Sequence, residues 1–272
     1  MKPAAGQRGP DLPAIRKLAE DCYDSYLADL RSLVNLDCGT YIPQGVNRVA
    51  DFMQERFAGR GWSVARIPHR PQGEEPRLGD LLVATLGGRP GSGDGGRRVL
   101  LVGHMDTVFP EGTAAERPFR IEGSTAYGPG VSDMKGGLLA GLYAMDVLQD
   151  TGFEEFGSVT YVCNPDEEIG SPFSGPVILE RAKDVGACFV LEGARENGDI
   201  VSARKGVTDF RIVVGGRAAH AGVEPERGRS ATLQAAHTVV ALHDLNGKWP
   251  GVTVNVGVVQ GGTRPNVVAE RC

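Results

Sequence analysis

Several features common in proteins are missing from this 272-residue chain. No run of 18 or more apolar residues occurs, which excludes a transmembrane helix within it. The opening stretch MKPAAGQRGPDLPAIRKLAED lacks the apolar core of a secretory signal. The five cysteines (Cys22, Cys38, Cys163, Cys188 and Cys272) are odd in number and include no CxxC pair, so the expectation is reduced thiols in a cytoplasmic protein. There is no internal repeat and no low-complexity tail. The formal net charge of -5 removes the electrostatic case for binding nucleic acid or an anionic membrane. What is present is ordinary for a globular protein: 23% charged and 41% hydrophobic residues, with many of the 39 glycines clustered at turns.

Apolar positions at helical spacing predict helix across residues 11–36 and again from Pro43-Gln44-Gly45 to Gly59. Short apolar runs predict strands at 62–67, 80–86 and 98–103. The glycine-rich stretch at 87–96 reads as an exposed hairpin loop between the last two. Helices over 133–148 and 174–183 then alternate with strands over 158–163 and 187–191. Strands apolar along their length, interleaved with helices, indicate an α/β domain with a mostly parallel sheet covered on both faces. Ligands are expected at the carboxyl edge of such a sheet. After Lys205 the pattern changes to strand 207–215, helix 230–243 and strand 253–260. These predict the opening half of a smaller α+β domain, so the expected division is 1–205 and 206–272.

Four strand ends carry residues able to bind metal. Val99-Leu100-Leu101-Val102 runs into Gly103-His104-Met105-Asp106-Thr107, and alternation along a strand points His104 and Asp106 the same way. An imidazole there can bind zinc, and a carboxylate two residues on can orient it; a structural histidine is the alternative. Asp133, in the glycine-packed GPGVSDMKGG, is either a helix N-cap or a carboxylate aimed at a ligand. Asp166-Glu167-Glu168 follows a buried strand, where a cation would relieve the repulsion of adjacent acids. Glu192 ends the last apolar strand. One acid or histidine at a strand end is unremarkable; four in succession suggest a site, and oxygen ligands with imidazole suit zinc, with manganese or cobalt as substitutes.

GHMDT, GPGVSDMKGG, NPDEEIG and LEG, in that order, resemble the zinc motifs of the co-catalytic di-zinc metallopeptidases of the aminoacylase and carboxypeptidase type. The bacterial glutamate-carboxypeptidase branch is the most similar, from about Tyr26 to Cys272. The resemblance implies that His104 and Glu192 bind one zinc, that Asp133 bridges two, and that Glu168 binds the second. It makes Glu167 the general base and Asp106 a support that binds no metal, and it implies a cis peptide between Asp133 and Met134. His220, in GRAAHAG, matches a lid histidine that reaches a partner subunit's active site. Asn266, in GGTRPNV, matches a substrate contact, and Lys205 is a candidate substrate or hinge contact. His69, His237 and His243 match nothing in the pattern and read as structural or surface groups.

The implied fold adds a ferredoxin-like lid that also forms a homodimer. Its implied activity is hydrolysis of an amide bond, releasing a C-terminal amino acid such as glutamate from a peptide or N-acyl amino acid. N-acyl amino acid deacylation of the acetylornithine or succinyl-diaminopimelate type uses the same motifs, and a truncated, non-catalytic fragment is the reading from a different class. The family's second zinc also needs a later histidine, and its lid an arginine, both expected beyond Cys272. The expectation is therefore a lid cut short and a second metal site lacking its imidazole.

Overall fold

In the computed structural model, residues 11–88, 96–199, 201 and 203–272 are described. They divide into two compact units, Met1–Gly198 and Asp199–Cys272. The division falls before Lys205, so that residue belongs with the second unit.

In the first unit, helix α1 (Leu12–Asp21) begins where the Asp11 carboxylate accepts a hydrogen bond from the Ala14 amide at 3.1 Å. Helix α2 (Tyr23–Val34) follows after Cys22, and α3 (Pro43–Gly59) starts on a proline, whose missing N–H costs nothing in a first turn. Val46, Val49, Ala50, Met53 and Phe57 recur at helical spacing along α3, and all are buried. The strands are β1 (Ser63–Ile67), β2 (Leu81–Gly87), β3 (Arg98–His104), β6 (Ser158–Asn164) and β7 (Ala187–Val190). A small hairpin of β4 (Arg120–Glu122) and β5 (Thr125–Tyr127) stands apart, outside every predicted element. The remaining helices are the single turn α4 (Thr113–Glu116), α5 (Gly136–Asp150) and α6 (Gly175–Ala182).

The main sheet has the order β1-β2-β6-β3-β7. β3 lies parallel to both neighbours, β6 and β7, while β2 runs antiparallel to both β1 and β6. The helix-covered α/β sheet is thus as expected, and its pairing is mixed. The hairpin expected between β2 and β3 does not form, because β6 is inserted between them. Of its connecting stretch, 89–95 lies outside the described residues. Period-two alternation serves both sheet faces. Leu82, Ala84, Leu101, Tyr161 and Cys163 pack against α2, α3 and α5. Leu81, Val83, Leu100, Val102 and Val162 face Val177 and Ile178 of α6. Both faces being covered explains why these strands read as continuous apolar runs.

The second unit holds helix α7 (Ala231–His243), capped by Ser230, whose hydroxyl accepts from the Leu233 amide at 3.1 Å. The strands expected at 207–215 and 253–260 are not formed. An extended segment becomes a strand only when another exchanges backbone hydrogen bonds with it along its length. Here only Val214–Gly216 meets Glu270–Cys272, and Val207 and Phe210 remain 88% and 86% exposed. The second segment is instead tied to the end of α7: Asn246 bonds both backbone groups of Val254, and the His243 ring accepts from the Val256 amide.

Candidate metal centre

His104 is the last residue of β3 and is paired in register with Asn164, the last of β6. Its ring is buried at 1% exposure. Nδ1 donates to the Asp106 carbonyl oxygen at 2.9 Å, which leaves Nε2 as the nitrogen facing the surrounding acids. Around Nε2 stand Asp133 Oδ1 at 3.0 Å, Glu192 Oε1 at 3.4 Å and Glu167 Oε2 at 3.9 Å.

Three local devices bring the acids there. Asp133 sits in the segment Val131–Lys135, where it and Met134 have non-helical backbone angles and the peptide between them is cis. The helix expected from Asp133 therefore starts later, at Gly136, and Asp133 is not its N-cap. The close approach of α5 to the chain after β7 requires a glycine: a Cβ on Gly137 would lie 1.7 Å from the Leu191 carbonyl oxygen, beside Glu192. Third, Asp106, wholly buried, reaches across to the turn after β6. Its carboxylate accepts from the Glu167 amide at 3.2 Å and the Glu168 amide at 3.3 Å, and from the Thr40 hydroxyl at 2.7 Å.

Two overlapping donor sets result, His104 with Glu167 and Glu192, and His104 with Asp133 and Glu168. In each, the ligand atoms lie within 4.8 Å of one another. That span fits a zinc ion with bonds of about 2.0–2.2 Å to nitrogen and oxygen. The electrostatics agree with such a fit. Burial works to lower the His104 pKa, but the hydrogen bonds and charges of Asp106 and Glu192 outweigh it and push it up to about 11. Burial raises Glu168 to about 7, with the Asp133 charge adding to it, and burial also raises Glu167. Protons are thus held where a divalent cation would replace them.

The structure brings His104, Asp106, Asp133, Glu167, Glu168 and Glu192 together. His220, Asn266 and Lys205 lie in the second unit, all exposed. There His220 bridges Val267, and the Ala221 amide donates to the Asn266 carbonyl at 3.0 Å, so those two candidates occupy adjacent backbone segments. His69 is structural: its Nδ1 accepts from the Leu78 amide at 3.1 Å and its ring meets Phe173 edge-on.

Three supporting residues escaped the sequence reading. Thr40 holds Asp106 from 66 residues away. Lys135, buried at 1% exposure, donates from Nζ to the Leu36 carbonyl at 3.0 Å. Asp166, the first of the three consecutive acids, pins the turn by accepting from the Phe173 and Ser174 amides at 2.7 and 3.1 Å. Only Lys135 left a signal, a lysine inside an otherwise apolar and glycine-rich run.

The model of peptidase family M20/M25/M40 matches residues 100–271. Carboxypeptidase G2 of Pseudomonas sp. (strain RS-16) is 31% identical over 92% of this chain and 58% of its own length. Acetylornithine deacetylase of Myxococcus xanthus is 29% identical over 93% of this chain and 66% of its own. Among solved structures, a tripeptidase from Staphylococcus aureus superposes with a TM-score of 0.62 at 21% identity, covering 91% of this chain and 64% of that one. The chain spans about half to two thirds of the length of these relatives.

Proposed function

The chain belongs to peptidase family M20/M25/M40, by the match over residues 100–271, and from that premise we propose that it carries out metal-dependent hydrolysis of an amide bond. The substrate in this reading is a peptide or N-acyl amino acid, and the product a C-terminal amino acid such as glutamate. The observation that carries it is the gathering of His104, Asp133, Glu167, Glu168 and Glu192 around one point at the carboxyl edge of the sheet. The likeness to an acetylornithine deacetylase over 93% of the chain supports a second reading, release of a small acyl group from an N-acyl amino acid. The two differ in what flanks the scissile bond, not in its cleavage.

His104, Asp133 and Glu192 would hold one zinc, and Asp133 with Glu168 would contribute to a second. When bound, zinc supplies Lewis acidity, acidifying water and polarising a carbonyl. Glu167 would act as general base, taking a proton from water on its carboxylate and passing it to the leaving nitrogen; its raised pKa suits both transfers. Asp106 would hold His104 through its backbone carbonyl and both glutamates through their amides. His220 would stabilise the developing oxyanion from a partner subunit of a homodimer, with Asn266 and Lys205 as substrate contacts. Five free thiols support a reducing, cytoplasmic setting, and among the described residues no helix is long and apolar enough to cross a membrane.

The test separates the adjacent glutamates. Glu167→Gln should retain metal, measured by mass spectrometry of the dialysed protein, and lose turnover by about 10²- to 10⁴-fold. Glu168→Gln should instead lower metal content. Equal metal loss in both variants would overturn this division of roles.

A further inference from the structure

Two residues after Asp133, Lys135 points a charged side chain into the protein interior, at 1% exposure. Taking an ammonium out of water is costly unless polar groups meet it, and here two do. Nζ donates to the Leu36 carbonyl at 3.0 Å and also reaches the Cys38 thiol. Burial pushes the pKa of that thiol up, while the charge and hydrogen bond of Lys135 work to lower it. An apolar side chain of similar volume would sit there without the cost of burying charge, so packing alone does not account for a lysine.

Leu36 and Cys38 belong to the segment between α2 and α3, whose far end is bonded to the metal centre's support. The Thr107 amide donates to the Cys38 carbonyl at 3.0 Å, and the Thr40 amide to the Thr107 carbonyl at 3.2 Å. The Thr40 hydroxyl donates at 2.7 Å to Asp106, the carboxylate that holds the Glu167 and Glu168 amides. Asp37 anchors the same segment to the start of α4, accepting from the Gly112 and Ala114 amides, both at 2.8 Å. On the other side, the Lys135 amide donates to the Gly130 carbonyl at 2.9 Å, and the Tyr26 hydroxyl to the Gly136 carbonyl at 3.1 Å. The Asp133 side chain itself is 68% exposed, so its place depends on its backbone more than on packing.

We propose that Lys135 is a positioning residue of the metal centre: it ties the Asp133 segment to residues 36–40, and so sets Asp133 against the glutamates that Asp106 supports. The inference rests on the metal-dependent reading above. Two roles for a buried cation beside a metal site have opposite consequences. As a bare charge it repels a divalent ion, and its removal tightens binding. As a tie that sets ligand geometry, its removal loosens binding, because ligands must meet the ion within fractions of an ångström. The bonds to Leu36 and Cys38, both directed at one segment, carry the second role.

The experiment is zinc competition titration, with absorption spectra of the cobalt(II)-loaded protein, on the parent, Lys135→Met, Thr40→Val and the double variant. Lys135→Met should weaken zinc binding about 10- to 100-fold while the metal-free protein still unfolds cooperatively. Its cobalt d–d bands, which report ligand geometry at the ion, should shift from those of the parent. Lys135→Arg keeps the charge and the donors, and should return both readings part of the way. Because Lys135 and Thr40 act through one segment, the double variant should lose less affinity than the two single losses multiplied together. Should Lys135→Met lose its cooperative transition, Cys38→Ala, which removes only the thiol partner, replaces it and is judged by the same outcomes, with a smaller loss expected. Zinc affinity that stays unchanged or tightens, or single losses that simply multiply, would overturn the tie. A parent that binds zinc while every variant matches it ends the tie and leaves the metal-dependent reading standing. A parent that binds neither zinc nor cobalt ends that reading, and the tie with it.

Discussion

The two compact units handle their candidate residues in opposite ways. In the first, His104 and Asp106 are fully buried, Glu167 and Glu168 stand on a turn bonded to Asp106, Glu192 follows β7, and Asp133 sits in the segment leading into α5. In the second, His220 and Asn266 are exposed on segments joined by isolated bridges. The difference lies in backbone pairing. β3 is bonded on both sides as far as Val102, by β6 and β7, and β6 continues the pairing to His104, which restricts where its last side chain can stand. A metal centre needs that rigidity, because its ligands must meet within fractions of an ångström. The isolated bridges of the second unit place no such constraint on His220 and Asn266.

Four outcomes would sharpen or break this contrast. The largest effect belongs to the core beneath the sheet. Phe57 is wholly buried between Trp62 and Tyr161, with ring centroids 5.1 and 5.2 Å away. Phe57→Ala should cost about 3–5 kcal/mol in chemical denaturation. Asp106→Asn comes next. It keeps the shape but weakens the acceptor holding the Glu167 and Glu168 amides, and zinc affinity by competition titration should fall about 10- to 100-fold. An unchanged affinity would mean that the centre does not depend on this buried support.

The third outcome is a pH dependence of the metal-free protein. Glu168 moves from 4.5 to about 7 on folding and His104 from 6.5 to about 11. Each folded pKa is raised, so each contribution is fully present below the unfolded value and lost as pH rises through the folded one. Urea midpoints should therefore fall from pH 4.5 upward, first through Glu168 and then through His104, and saturating zinc should oppose the fall. The smallest effect belongs to the second unit: Phe210→Ala, at an 86% exposed position, should change stability by no more than about 0.5 kcal/mol. A cost like that of Phe57 would show Phe210 buried in solution, and the contrast between the units would lose its basis.

How much was legible in the sequence follows the same line. His104, Glu167, Glu168 and Glu192 were visible because each ends or follows an apolar strand, and Asp133 because it stands in a glycine-packed run; the strand end expected for Asp133 is instead the segment before α5. Thr40 was not, since a threonine after a glycine looks like a surface residue until its partner is known, and Asp166 was read only as one of three adjacent acids, not as the brace of the turn that bears the other two. The strands expected over 207–215 and 253–260 show the reverse error. Their apolar, extended pattern was real, but a β-strand is a property of two segments, and neither found a partner along its length.

The sequence by itself determined the strands of the main sheet and the longer helices of the first unit, the period-two packing on both sheet faces, and that His104 and Glu192 stand at or just after strand ends, because these depend on residues close in the chain. Only the tertiary structure decided that β6 enters between β2 and β3, setting Asn164 beside His104 and the turn that bears Glu167 and Glu168 over Asp106. It alone also set the Lys135 ammonium against the Leu36 carbonyl. Strand order is fixed by which apolar faces and backbone groups find each other across long stretches of chain, and no local pattern records that choice.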